Sequence, residues 1–375
     1  MIVSIKWPVN AGETPPVLLG DFTQWEPVEG TAVNGRLEWQ FDVEYDARLE
    51  YCFMTGDNRL IPDPANENRV MNGLGAMSEL VMPGYEYHPV FEPFRQGVKS
   101  STDHLNKISI TSRHLGYIKE VWIVEAGRDA SLLPGGQNPG VSLLSGKLTG
   151  RMFEKKGTGF IDNPGKSGIA PFLLVFQDGL DYLEFAHAET VLHYLFNNKL
   201  IPPTVALFVN PPNRHAGKKP DRMTEYGMNP LYAAFIAEEL IPRFSNITNR
   251  AIIGASYGGL CAIHTAMLYP GLFSAAYSQS GYVGYNSDAL FELVGRSDKS
   301  VSIYTDIGTW ERSVGRSFLD NRELDFLAAN RRFRDMMKQY DIPHTYCEHH
   351  EGHTWGYWRN GLVRMLPAII YGDRL

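Results

Sequence analysis

The sequence predicts an α/β fold built on a mainly parallel sheet, preceded by a separate all-β domain. Three observations carry this. Residues 1–90 hold short alternating apolar segments punctuated by turn residues. From Ile108 onward, nearly continuous apolar runs alternate with helical patterns. At 375 residues the chain is also long for one domain, so two are the natural expectation.

In the first part, residues 17–19, 37–43 and 49–53 read as strands. Leu37, Trp39, Phe41 and Val43 fall on one face, as a half-buried strand requires. A β-sandwich of short strands over 1–90 is expected. Residues 82–94 contain three prolines and no regular period, which places the junction around 84–103, with 91–107 as linker. The second domain is then 108–375. Its residues 121–124, 172–176, 205–209, 251–253 and 301–304 read as strands covered on both faces. Helical patterns fall at 187–196, 231–244, 260–268 and 321–340, giving right-handed α/β units. A long insertion, 127–168, is rich in Gly, Pro, Ser and Lys and reads as a lid, a binding loop or disorder.

Composition removes several function classes. A net charge of −7, with only short basic stretches, argues against a nucleic-acid surface. No run of eighteen apolar residues predicts a membrane span, and the first residues lack the pattern of a signal peptide. Cys52, Cys261 and Cys347 lie far apart without metal-ligand spacing, which fits a reduced, cytoplasmic setting. The expected partner is a small molecule, and a homo-oligomer stays open.

The sharpest chemical signal is Gly254-Ala-Ser256-Tyr-Gly258, after a β-type run and before a helical one. This is the G-x-S-x-G elbow of an α/β-hydrolase, in which a strained turn raises a serine hydroxyl. Ser256 is therefore the candidate nucleophile, and the amide of Tyr257 a candidate oxyanion donor at the helix start. The expected chain order is serine, acid, histidine. His353 follows an apparent strand at 345–347 and precedes a helical pattern at 357–369, with Gly352 to turn the chain. A histidine suits a base because it takes and returns a proton near neutral pH. His349 and His350 are rivals, and the cluster lacks the helical H-E-x-x-H spacing of a metal site. For the acid, Glu311 is favoured beyond the strand at 301–304, with Asp306 and Asp320 as alternatives. No cofactor is implied.

These residues bring a family into view. Residues 108–375 resemble the putative esterase (esterase D-like) family, and within it the bacterial enterochelin esterases. The matching stretches are Phe176-Gln-Asp178-Gly179, Arg222-Met-Thr-Glu225-Tyr226, Glu238-Glu239-Leu-Ile-Pro242, the elbow, Ser278-Gln-Ser280-Gly281 and Gly352-His353-Thr-Trp355-Gly-Tyr-Trp-Arg359. The resemblance implies a serine carboxylic-ester hydrolase acting on a siderophore or related ester. It implies a second oxyanion amide at Leu180, in the loop after Asp178. It also places Asp178, Arg222 and Trp355 at the substrate, with Arg222 either bordering the cleft or paired to Glu225. Residues 1–90 look like the immunoglobulin-like early-set sandwich that precedes many such esterases, through Gly20-Asp-Phe22-Thr-Gln-Trp25 and Pro62-Asp63-Pro64-Ala-Asn66. There Trp25 either packs the sandwich or stacks on sugar. A feruloyl or acetyl esterase, or a binding protein on an esterase scaffold, are the alternative functions.

Overall fold

A computed structural model describes residues 1–9, 14–127, 170–212, 220–297, 299–314 and 325–372. The expected insertion at 127–168 and Asp320 therefore fall almost wholly outside the described residues.

The N-terminal strands form two antiparallel sheets. One has the order β1 (Ile2–Pro8), β4 (Arg36–Asp42), β3 (Thr31–Val33). The other has β2 (Val17–Gly20), β5 (Arg48–Met54), β8 (Gly75–Val81) and β7 (Arg69–Asn72), with β6 (Leu60–Ile61) added to β5. The alternation in β4 works as the sequence predicts: Trp39 is buried, Phe41 packs on the same core, and the residues between them stay more open. Ile5 lies beside Trp39 on β1, and Leu18, Leu49 and Phe53 meet them from the other sheet, so each sheet hides its apolar face against the other. Trp25 packs beside Cys52, Val70 and Met77, and its indole N–H donates to Asp21 at 2.9 Å. That contact set is a packing role for this tryptophan.

After a 3-10 turn at Pro89–Phe94 the chain enters an eight-stranded sheet. Its order is β16 (His344–His349), β15 (Ser302–Gly308), β14 (Ala275–Gln279), β13 (Asn249–Ala255), β11 (Phe172–Gln177), β12 (Thr204–Val209), β10 (Ile118–Ala126), β9 (Asn106–Thr111). The six strands from β16 to β12 are parallel, whereas β10 runs antiparallel to both β12 and β9. Strands β11 and β12 are buried along their whole length, matching their unbroken apolar runs. Helices cover both faces, and two large apolar clusters lie on either side of the sheet. Helix α5 (Tyr257–Leu268) is apolar all round because it is buried all round. The single helical pattern expected at 231–244 is three pieces: α4 (Pro230–Ala234), a π-helical segment Phe235–Leu240, and a 3-10 turn Ile241–Phe244. Pro242 in the last piece has no amide to continue an α-helical ladder. Among the described residues no helix is long and apolar enough to cross a membrane.

The two parts of the chain are joined by buried charge. Arg48 on β5 binds Glu50 at 2.8 Å, Glu79, and Glu351 at 3.5 Å, all four side chains being almost fully buried. Glu351 also receives the Tyr85 hydroxyl at 3.2 Å, and the Arg48 amide donates to the His350 carbonyl at 3.0 Å. Buried charges are costly unless mutually satisfied, so removing one member strands the others. Helix α8 (Trp355–Tyr371) approaches this cluster so closely that a methyl group at Gly356 would overlap the Arg48 guanidinium.

Candidate active site

Five neighbouring parallel strands, β16 to β11, end side by side, and four of them lead to a candidate group at the same edge of the sheet. Such an edge is where ligands of open α/β sheets sit. Strand β13 delivers Ser256. From Ala251 to Met267 every residue is buried except Ser256, which is partly open. Its backbone lies at φ 57° and ψ −120°, a conformation that costs a non-glycine residue about 1–3 kcal/mol. Three hydrogen bonds hold it there: its amide donates to the Gln279 carbonyl at 2.9 Å, and its carbonyl accepts from the amides of Leu260 and Tyr282, each at 3.1 Å. The elbow also needs glycine for space, because a Cβ on Gly254 would strike the Gly258 carbonyl.

Strand β15 leads to Glu311 and β16 to His353. The Glu311 carboxylate is wholly buried and fully engaged. One oxygen accepts the Ser280 hydroxyl at 2.6 Å and the Gly308 amide at 2.8 Å; the other meets His353 Nδ1 at 2.6 Å. The imidazole stands edge-on to Phe326 (centroids 5.1 Å apart) and Trp358 (5.0 Å), and its side chain is 17% exposed. With Nδ1 bound to a carboxylate, Nε2 is the nitrogen left for proton transfer. Among the hydrogen bonds of the described residues, none joins the Ser256 hydroxyl to the His353 ring. Catalytic hydrogen bonds of free enzymes are often long and tighten only with substrate.

The rivals named from sequence lie elsewhere. Asp306 is buried with one oxygen on the Tyr277 hydroxyl at 2.5 Å, and desolvation pushes its carboxyl up to about 7. His349 is half-buried on β16, and desolvation, reinforced by Arg364, lowers it to about 3. His350 bonds Asp46 at 2.6 Å on the surface.

On the other side of Ser256, strand β11 ends at Asp178, in left-handed backbone at φ 56°, and α1 (Gly179–Glu184) begins. Arg222, on α3 (Arg222–Tyr226), grips both Asp178 oxygens at 2.6 and 2.7 Å and donates to the Ala255 carbonyl, one residue before the elbow serine, at 3.2 Å. The pairing with Glu225 raised from sequence does not form. Glu225 is taken by the buried Lys119 ammonium at 2.7 and 2.8 Å and by the Tyr117 hydroxyl at 2.6 Å. Asp178, expected at the substrate, is only 1% exposed and is covered by the Arg222 guanidinium. The Leu180 amide points at the Asn210 side-chain oxygen, a long contact of 3.4 Å. Tyr257 opens α5, at the positive end of that helix.

Trp355, expected at the substrate, is 8% exposed and packs edge-on to Tyr182 (5.0 Å) and Trp358 (4.7 Å). Three groups went unassigned in the sequence. Ser280 and Trp358 form a relay in which the indole N–H donates to the Ser280 hydroxyl at 2.8 Å, and that hydroxyl donates to Glu311. An aromatic wall runs from Tyr257 to Tyr282 (centroids 5.0 Å), Tyr285 (5.8 Å) and, through Tyr282, to Phe326 (5.1 Å) beside His353. The recurring Ser278-Gln-Ser280-Gly281 stretch held a signal for Ser280, but nothing local announced its partner.

Comparison with known proteins agrees with this architecture. The uncharacterized protein YjcH of Bacillus subtilis is 27% identical over 208 residues, covering 53% of this chain and 84% of YjcH. YbbA of the same organism, also uncharacterized, is 31% identical over 138 residues, covering 33% of this chain and 54% of YbbA. Among solved structures, the enterochelin esterase of Shigella flexneri superposes with a TM-score of 0.68 at 18% identity, covering 98% of this chain and 92% of that one. The ferric enterobactin esterase of Salmonella typhimurium gives a TM-score of 0.68 at 16% identity, covering 98% and 93%. At these identities the likeness is one of fold, an α/β-hydrolase domain behind an N-terminal β-domain. The family described as "Putative esterase" matches residues 152–369, more than half of the sequence, so the chain belongs to that family and is a carboxylic ester hydrolase.

Proposed function

We propose that the chain is a serine esterase in which Ser256 is the nucleophile, His353 the general base and acid, and Glu311 the residue that orients the imidazole. The observation that carries this reading is the Glu311–His353 contact at 2.6 Å, on loops next to the one open residue of a buried elbow. In the proposed reaction the Ser256 oxygen attacks the ester carbonyl while His353 Nε2 takes its proton. The Ser256–His353 contact closes as substrate binds. Glu311 stabilises the imidazolium so formed. The tetrahedral oxyanion is met by the amides of Tyr257 and Leu180, the carbonyl displacing the long Asn210 contact. The carbon–oxygen bond to the leaving alcohol then breaks, and His353 returns the proton to it. Water repeats the sequence on the acyl-enzyme and frees the acid.

The substrate we favour is an ester of an aromatic acid, of the catecholate siderophore class, hydrolysed inside the cell. Supporting this are the tyrosine wall beside Ser256, the Arg222 guanidinium stacked over Tyr226 and Tyr257 (5.4 and 5.8 Å), and three cysteines held as thiols. Aromatic faces and a stacked guanidinium suit a flat, electron-rich acyl group. The solved enterobactin esterases point the same way, one having been determined in the presence of enterobactin. The purified chain is expected to hydrolyse p-nitrophenyl acetate, and Ser256→Ala to lower kcat by about 10⁴-fold or more. Turnover unchanged in that variant ends the reading. Higher kcat/KM on ferric enterobactin than on methyl ferulate is the expected substrate order, and the reverse favours a feruloyl esterase.

A further inference from the structure

One side chain of the β-domain reaches the loop that carries Glu311. Gln24 follows the 3-10 turn Asp21–Thr23 and is itself in left-handed backbone at φ 55°. Its amide nitrogen donates to the carbonyls of Asp21 at 2.8 Å and Trp310 at 2.7 Å. Its oxygen accepts from the amides of Arg312 at 3.0 Å and Ser313 at 2.8 Å. A glutamine side chain has two N–H donors and two lone pairs, and here all four are used. Three of the four bonds grip the backbone on both sides of Glu311. A second tie from the same domain, Trp310 Nε1 to Glu44 at 3.0 Å, holds the flank.

Resting on the reading of Ser256, His353 and Glu311 given above, we propose that Gln24 is a positioning residue for the acid. It sets the 310–313 backbone so that the Glu311 carboxylate meets His353 Nδ1. The β-domain is then part of the proton-transfer apparatus. A 2.6 Å charge-assisted bond depends on sub-ångström placement, and small misplacements of such groups reduce turnover severely.

The test uses the full chain. Gln24→Ala and Gln24→Gly both delete the amide, and glycine also relieves the left-handed backbone, so its melting temperature stays close to that of the parent. Both variants are expected to lose about 10–100-fold in kcat on p-nitrophenyl acetate, with KM little changed. In a Glu311→Ala background, Gln24→Gly should cost nothing further. The proposal is overturned if Gln24→Gly keeps parental kcat while Glu311→Ala loses activity, an outcome that leaves the esterase reading intact. It is also overturned if Gln24→Gly costs as much without Glu311 as with it. If Glu311→Ala itself leaves turnover unchanged, the assignment of Glu311 fails first.

Discussion

The two sides of the cleft are braced in different ways. On the oxyanion side, every support comes from the catalytic domain. Arg222 clamps Asp178 and the Ala255 carbonyl, and buried Lys119 holds both Glu225 at 2.7 Å and the Asn210 carbonyl at 2.7 Å. On the acid–base side, the supports cross from the β-domain: Gln24 and Glu44 to the Glu311 loop, Arg48 and Tyr85 to the segment around Glu351, two residues before His353. In the proposed mechanism the β-domain thus bears on proton transfer more than on the oxyanion. Substitutions on the two sides should therefore leave different kinetic marks.

The largest mark belongs to His353. His353→Ala is expected to lower kcat by about 10⁴-fold or more, whereas Glu311→Gln, which keeps the shape but not the charge, should cost about 10²–10⁴-fold. Steady-state kinetics on one ester measures both, and a Glu311→Gln variant as active as the parent would separate the acid from the site. Next comes the oxyanion side. Arg222→Ala leaves Asp178 buried without its cation, so stability should fall by about 3–5 kcal/mol and kcat/KM by about 10–100-fold. The double variant Asp178→Asn/Arg222→Met should recover much of the stability in a denaturant melt but little of the activity, whereas full recovery of both would make the pair purely structural.

The smallest mark is a dependence of stability on pH. Burial raises Asp306 to about 7 and, helped by Glu50, Asp21 to about 8, both from 3.8. The folded chain thus holds protons that the unfolded chain has released, so stability contributed by these groups is complete below about pH 4 and is lost as pH rises through 7 and 8. Asp306→Asn removes one such group. It should stabilise the chain by about 1–3 kcal/mol at pH 8.5, make no difference near pH 4, and leave turnover within a few-fold of the parent. Thermal melts at the two pH values check the sign, and a gain at low pH instead would contradict it.

What the sequence made legible follows from what periodicity and spacing report. The elbow declares itself because strand, glycine turn and helix are contiguous; fixed chain order in this fold narrows the base and acid to His353 and Glu311 and their close neighbours, and the 2.6 Å contact between those two is what the structure adds. Arg222 was offered Glu225, three residues away, but the start of α3 meets the end of β11 and so brings it Asp178 across 44 positions. Gln24 meets the acid loop across nearly 290 positions, a pairing that no local pattern encodes. Trp355 sits in a motif with His353 yet faces the core, since the first turn of α8 must bury one flank to hold the other near the imidazole. Apolar runs mark buried strands but not their direction, so the antiparallel edge of β10 and β9 was silent.

The most direct test of the central claim is covalent. The chain is treated with a fluorophosphonate, whose phosphorus an activated serine attacks with loss of fluoride, and the labelled peptide is then sequenced by mass spectrometry. The account requires a single adduct on Ser256, formed rapidly in the parent and at least about 100-fold more slowly in His353→Ala. An adduct on another residue, or equal labelling rates with and without the imidazole, would contradict it.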